Sequence, residues 1–77
     1  MRAHISRELM QFLGSVENSE PFFRVIEEIK ANQGHQWALP SPRFPNQMEV
    51  AVEGYWLGFE IEQNGETTIR FLYVEQI

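Results

Sequence analysis

The run Tyr55-Trp56-Leu57-Gly58-Phe59-Glu60-Ile61-Glu62-Gln63-Asn64-Gly65-Glu66-Thr67-Thr68-Ile69-Arg70-Phe71-Leu72-Tyr73-Val74-Glu75 reads as two strands around one tight turn. Asn64-Gly65 carries the strongest local signal in the chain, because both residues tolerate the positive φ of a type I′ hairpin loop. With those two residues as the loop, Gln63 faces Glu66, Ile61 faces Thr68, Phe59 faces Arg70, Leu57 faces Leu72 and Tyr55 faces Val74. Side chains alternate along a strand, so these residues share one face. It holds most of the large apolar groups and is expected to pack on the core. The opposite face pairs Glu62 with Thr67, Glu60 with Ile69, Gly58 with Phe71 and Trp56 with Tyr73. A slip of one residue at the turn exchanges the two faces.

Upstream, Met48, Val50 and Val52 alternate with Glu49, Ala51 and Glu53, the pattern of a half-buried strand. Glu53-Gly54 turns that strand into Tyr55. Residues 34–46 carry Gly34, Pro40, Pro42 and Pro45 and read as a rigid connector. Residues 1–33 read as helical. Ser6 is a good N-cap, and Ile5, Leu9, Phe12, Leu13 and Val16 mark one helical face. A second helix starts near Ser19, with Glu20 and Pro21 in its first turn and Phe22, Val25, Ile26 and Ile29 as its stripe. Arg24 and Glu28 stand one turn apart, and Gly34 is a natural stop. The expected fold class is α+β: a helical hairpin packed on one face of a small three- to four-stranded antiparallel sheet. It spans a single domain, 1–77, divided into a helical hairpin over 1–33 with a short N-terminal strand allowed, a connector over 34–46 and a sheet over 47–76.

Composition narrows the function. The 77 residues are 43% hydrophobic and 13% aromatic, enough to form a core without staples. There is no cysteine, which excludes disulfides, thiolate nucleophiles and cysteine-bound zinc. Eleven glutamates and no aspartate stand against six Lys and Arg, for a net charge of -5. That balance argues against direct nucleic-acid binding, which needs bases against phosphates. Six of the acids and only Arg70 fall in residues 49–77, so the sheet half carries the net charge and favours a basic protein partner. No signal peptide or membrane-length apolar run is visible, so the expected location is the cytoplasm.

Little in the chain points to catalysis. His4 and His35 lie in separate segments with no ligand spacing. A Ser-His-Asp set is impossible without Asp, and no glycine-rich phosphate loop exists. Glu60 and Glu62, two apart on one strand face, have the pattern of solvated sheet acids. No catalytic residue, metal or cofactor is therefore expected. Arg70 is expected on the helix side, snorkelling or paired with Glu17 or Glu28.

The outer sheet face is unusually apolar. It presents Trp56, Ile69, Phe71 and Tyr73 among Glu49, Glu53, Glu60, Glu62 and Glu75, with Gly58 leaving a dent opposite Phe71. Aromatics rimmed by acids suit a protein-binding surface. The expected function is a non-catalytic interaction module, with Trp56, Phe71, Tyr73 and Ile69 as anchors and Glu60 and Glu62 as the rim. In His35-Gln36-Trp37 and Arg43-Phe44, the two aromatics either anchor the connector to the core or extend that surface. An acidic inhibitor that occupies a basic groove of a nucleic-acid-handling protein is the alternative.

The order helix, helix, three-stranded antiparallel sheet, with Gly54-Tyr55-Trp56-Leu57-Gly58-Phe59-Glu60-Ile61 and then Thr68-Ile69-Arg70-Phe71-Leu72-Tyr73-Val74, resembles the RelE/ParE toxin superfamily. Arg2 to Ile5 followed by Ser6-Arg7-Glu8-Leu9 is similar to that family's short strand leading into its first helix. The resemblance implies a toxin-like scaffold and places Trp56 on the family's working face. Ribonuclease members carry Arg after Gly-Tyr, where this chain has Trp56, and a basic segment with catalytic Arg and Tyr where it has Glu75-Gln76-Ile77. Cleavage of messenger RNA would have to draw on Arg43, Arg70 or Tyr73 instead. A homodimer through the aromatic face or an edge strand fits this reading, the interaction module and the acidic inhibitor alike.

Overall fold

Ser6 opens the first helix and ties it to the sheet. Its hydroxyl accepts from the Leu9 N–H at 3.1 Å and donates to the Leu72 carbonyl at 2.7 Å. The computed structural model describes all residues, Met1–Ile77. In it β1 spans Arg2–Ile5, α1 Arg7–Ser15, α2 Glu20–Asn32, β2 Leu39–Pro40, β3 Met48–Val52, β4 Tyr55–Asn64 and β5 Glu66–Gln76. Pro21 sits in the first turn of α2, where its missing N–H costs nothing, and Gln33 ends that helix in the left-handed region at φ 52°. Arg24 pairs with Glu20 at 2.7 Å rather than with Glu28. No helix is long and apolar enough to cross a membrane.

The fold is α+β, as expected, but the sheet has five strands in the order β1-β5-β4-β3-β2. It is mixed, not purely antiparallel, because β1 runs parallel to β5, from Arg2 opposite Thr68 to Ile5 opposite Phe71. β2 adds the other edge with two pairs, Leu39 with Glu49 and Pro40 with Met48, inside the segment expected to be a connector. Both helices lie on one face. Leu9, Leu13, Phe22, Ile26 and Ile29 share a single core with Val50, Val52, Leu57, Phe59, Ile69 and Phe71. Phe12, Phe22 and Tyr55 close its end with edge-to-face rings 4.9 to 5.9 Å apart.

The hairpin register differs from the local expectation. The type I′ signature falls at Glu53-Gly54, where both φ angles are positive, at 49° and 81°. At the β4–β5 turn only Gly65 has positive φ, and Asn64 pairs with Glu66. This slips β5 by one residue. Ile61 then meets Ile69, Phe59 meets Phe71, and Arg70 moves to the outer face opposite Glu60. Burying two large apolar side chains and releasing a guanidinium to water outweighs the preference of one turn dipeptide.

A second shift follows between Gly58 and Phe59, where Leu72 stands as an extra residue between Phe71 and Tyr73. The bulge restores the original parity, so Val74 returns to the core side opposite Leu57 and Tyr73 faces outward opposite Gly58. The bulge carbonyl is the one that Ser6 satisfies. Replacing Ser6 with Ala removes both the cap and that bond, with an expected loss of about 1–2 kcal/mol in urea unfolding.

Candidate functional site

The outer face is built around one cross-strand row: Leu39, Glu49, Gly58 and Tyr73 on four neighbouring strands. Gly58 has no side chain, and the Tyr73 ring lies in the space a Cβ would fill. Across that gap the Tyr73 hydroxyl donates to Glu49 Oε2 at 3.2 Å. Glu49, expected on an exposed face, is only 8% exposed. Its carboxylate needs this donor, because a buried charge without a partner is costly.

The segment between β2 and β3 folds onto this row. Ser41 N–H donates to the Gln47 carbonyl at 2.8 Å, and the Ser41 hydroxyl oxygen accepts from the N–H groups of Arg43 and Phe44 at 3.3 and 3.2 Å. The tight loop brings the Phe44 ring to 6.0 Å from that of Tyr73. The Arg43 guanidinium lies 5.5 Å from the Phe44 centroid and forms an ion pair with Glu75. The proline-rich segment is thus a structured cover over part of the outer face.

Upstream of β2, His35 fixes the next aromatic. Its side chain is only 7% exposed. Nδ1 accepts from the Trp37 N–H at 3.1 Å, and Nε2 stands 3.3 Å from Glu28 Oε2. The imidazole holds the turn that carries Trp37, beside a carboxylate of α2.

Of the expected site residues, Trp56, Tyr73, Glu60 and Glu62 lie on the outer face. Ile69 and Phe71 do not: both are fully buried in the core, at 0% exposure, because of the one-residue slip. Arg70 pairs with neither Glu17 nor Glu28. It bridges Glu60 at 3.5 Å and Glu62 at 3.4 Å across the hairpin. Trp56 is half-buried between Ala51 and Glu75.

The face thus has two halves. Toward the hairpin tip it is polar, with Arg70 between its two glutamates and Glu66 near both Arg2 and the N-terminal amine. Toward the other end it carries Leu39 and Phe44, 54% and 43% exposed, with Trp37, 71% exposed, two residues before Leu39. Leu39 is not legible in the sequence, because a two-residue strand has no period. Its signal is only that Trp37 and Leu39 flank Ala38, which packs on the core.

The residues a ribonuclease would use are engaged elsewhere: Arg43 with Glu75, Arg70 with Glu60 and Glu62, and Tyr73 with Glu49. No group of three or more His, Asp or Glu side chains converges to hold a metal. Comparison with known proteins finds no matching family model, no similar curated protein and no similar solved structure.

Proposed function

We propose that the chain is a non-catalytic interaction module that docks a protein through the apolar half of its outer sheet face. The observation that carries this is that two exposed large apolar side chains flank one outer-face row: Leu39 stands in the row of Glu49, Gly58 and Tyr73, and the Phe44 ring lies beside that of Tyr73. Trp37, also exposed, stands two residues before Leu39. Each is held on ordered backbone: Trp37 by His35, Leu39 by the β2–β3 ladder, and Phe44 by the Ser41 turn and the Tyr73 ring. Binding to such a surface loses little side-chain and loop freedom. Aromatic anchors of this kind commonly carry 2 kcal/mol or more of an interface, as an order of magnitude.

The acidic-inhibitor alternative draws less support. Glu60, Glu62, Glu66 and Glu75 are each within ion-pair distance of a base of the same chain. A partner recognised through those acids would have to compete with these pairs.

The test is a pull-down from host lysate with wild type beside Trp37→Ala and Leu39→Ser, each checked by circular dichroism. The expected result is a partner retained by wild type and reduced at least tenfold, roughly 1.4 kcal/mol, by either variant. Full retention by both folded variants would remove the proposal.

A further inference from the structure

The outer edge of β5 is only half covered. Pairing with β1 ends at Ile5 opposite Phe71, and the chain then turns away into α1. The Ser6 N–H donates to the Phe71 carbonyl at 2.9 Å, so the backbone of Phe71 points to this edge. At the other end, the Ile77 N–H donates to the Gly54 carbonyl at 2.9 Å, so Ile77 points toward β4. Backbone direction alternates along a strand, and the extra residue Leu72 accounts for the change of parity between those two points. Val74 and Gln76 therefore turn their N–H and C=O groups outward, beyond the reach of β1. Such an edge is a ready template for another strand.

A groove of about 480 Å³ runs along this edge, with Leu72 to Glu75 as its floor. Glu8 of α1 lines it on one side, and Arg43 and Phe44 of the loop line it on the other. Arg43 is held by Glu75, whereas Glu8 makes no ion pair. The charge left open is therefore negative. A second copy of the chain would bring its own unpaired Glu8 to the same place, and like charges would oppose it.

We infer that this edge takes an extended basic peptide segment of a partner as a sixth strand, paired to Val74 and Gln76, with a basic side chain on Glu8. The site shares Phe44 with the proposed docking face but neither Trp37 nor Leu39, so substitutions at those two positions test the proposals separately.

The test uses the whole chain, isotope-labelled for amide exchange, with a short blocked peptide of alternating lysine and valine. Its glutamate and valine counterpart is the control. With the basic peptide at saturation, the Val74 and Gln76 amides are expected to exchange about tenfold more slowly. Gln76→Pro removes an outward N–H at an exposed edge position, where proline is tolerated, and should weaken binding about tenfold. Glu8→Gln should weaken it about two- to fivefold, and Trp37→Ala should leave it unchanged.

Four results would each overturn the inference: equal uptake of the acidic peptide, protection at the β3 edge instead, loss of binding in folded Trp37→Ala, or no binding. Protection of Val74 and Gln76 that grows with protein concentration in the absence of peptide would also overturn it, assigning the edge to a second copy.

Discussion

Phe71→Ala is expected to destabilise the protein by about 3–5 kcal/mol, the largest effect expected of any single substitution. Phe71 is fully buried, sits beside Phe59 with ring centroids 6.3 Å apart, and belongs to the same core as Leu9 and Ile26. Truncation removes its transfer free energy and leaves a cavity that the fixed ends of the sheet cannot close. A domain of this length has a total stability of about 4–12 kcal/mol, so the variant should be largely unfolded under mild denaturant or modest heating. Urea titration followed by circular dichroism measures this directly.

The same substitution discriminates between the two hairpin registers. With Asn64-Gly65 as a two-residue loop, Phe71 is a surface anchor whose loss would spare folding and abolish binding. In the observed register its loss acts on folding itself. A folded Phe71→Ala protein that loses less than about 1 kcal/mol would contradict the buried position and restore the turn-based register.

Gly58→Ala is the second large effect, expected at about 2–4 kcal/mol. A methyl group at position 58 would overlap the Tyr73 ring. The ring would have to leave the sheet surface, taking its hydroxyl from Glu49 and its face from Phe44. Glu49, only 8% exposed, would then lose its donor. The effect depends on coupling and is best measured as a double-mutant cycle. In a Tyr73→Ala background, Gly58→Ala should cost less than about 1 kcal/mol, giving an interaction energy above 1 kcal/mol, as an order of magnitude. Equal costs in both backgrounds would show that Gly58 is needed for its backbone and not for the Tyr73 ring.

Much of the fold follows from local preferences. The Ser6 cap, the proline in the first turn of α2, the helical stripes and the alternation of β3 and β4 all depend on neighbours a few residues away. Such preferences can be read from a string of residues. The inward set Leu57 and Phe59 is legible because their parity does not depend on what lies across from them.

The placement of β5 depends on a partner. A turn dipeptide contributes a fraction of a kcal/mol, whereas burying Ile69 and Phe71 contributes roughly 1.5–3 kcal/mol each. Burial therefore decided the slip, and Arg70 moved from the expected core side to Glu60 and Glu62. The candidate site shifted for the same reason. Trp56 stayed on the outer face by the parity of β4 alone, and Tyr73 because the Leu72 bulge undoes the parity change before it reaches that residue, while Ile69 and Phe71 went inside. Leu39 came forward only with the pairing of β2 at the β3 edge.

By itself the sequence determined the α+β class, the order of the two helices and the three long strands, the absence of thiol chemistry and the acidity of the sheet half. Each follows from composition or from periodicity within one element. Tertiary structure alone decided the parallel docking of β1, the hairpin register, the bulge and hence which aromatics face solvent. The Ser6 hydroxyl and the Leu72 carbonyl, 66 residues apart, show the physical reason. These features come from contacts between distant segments, whose energies exceed the local preferences they override.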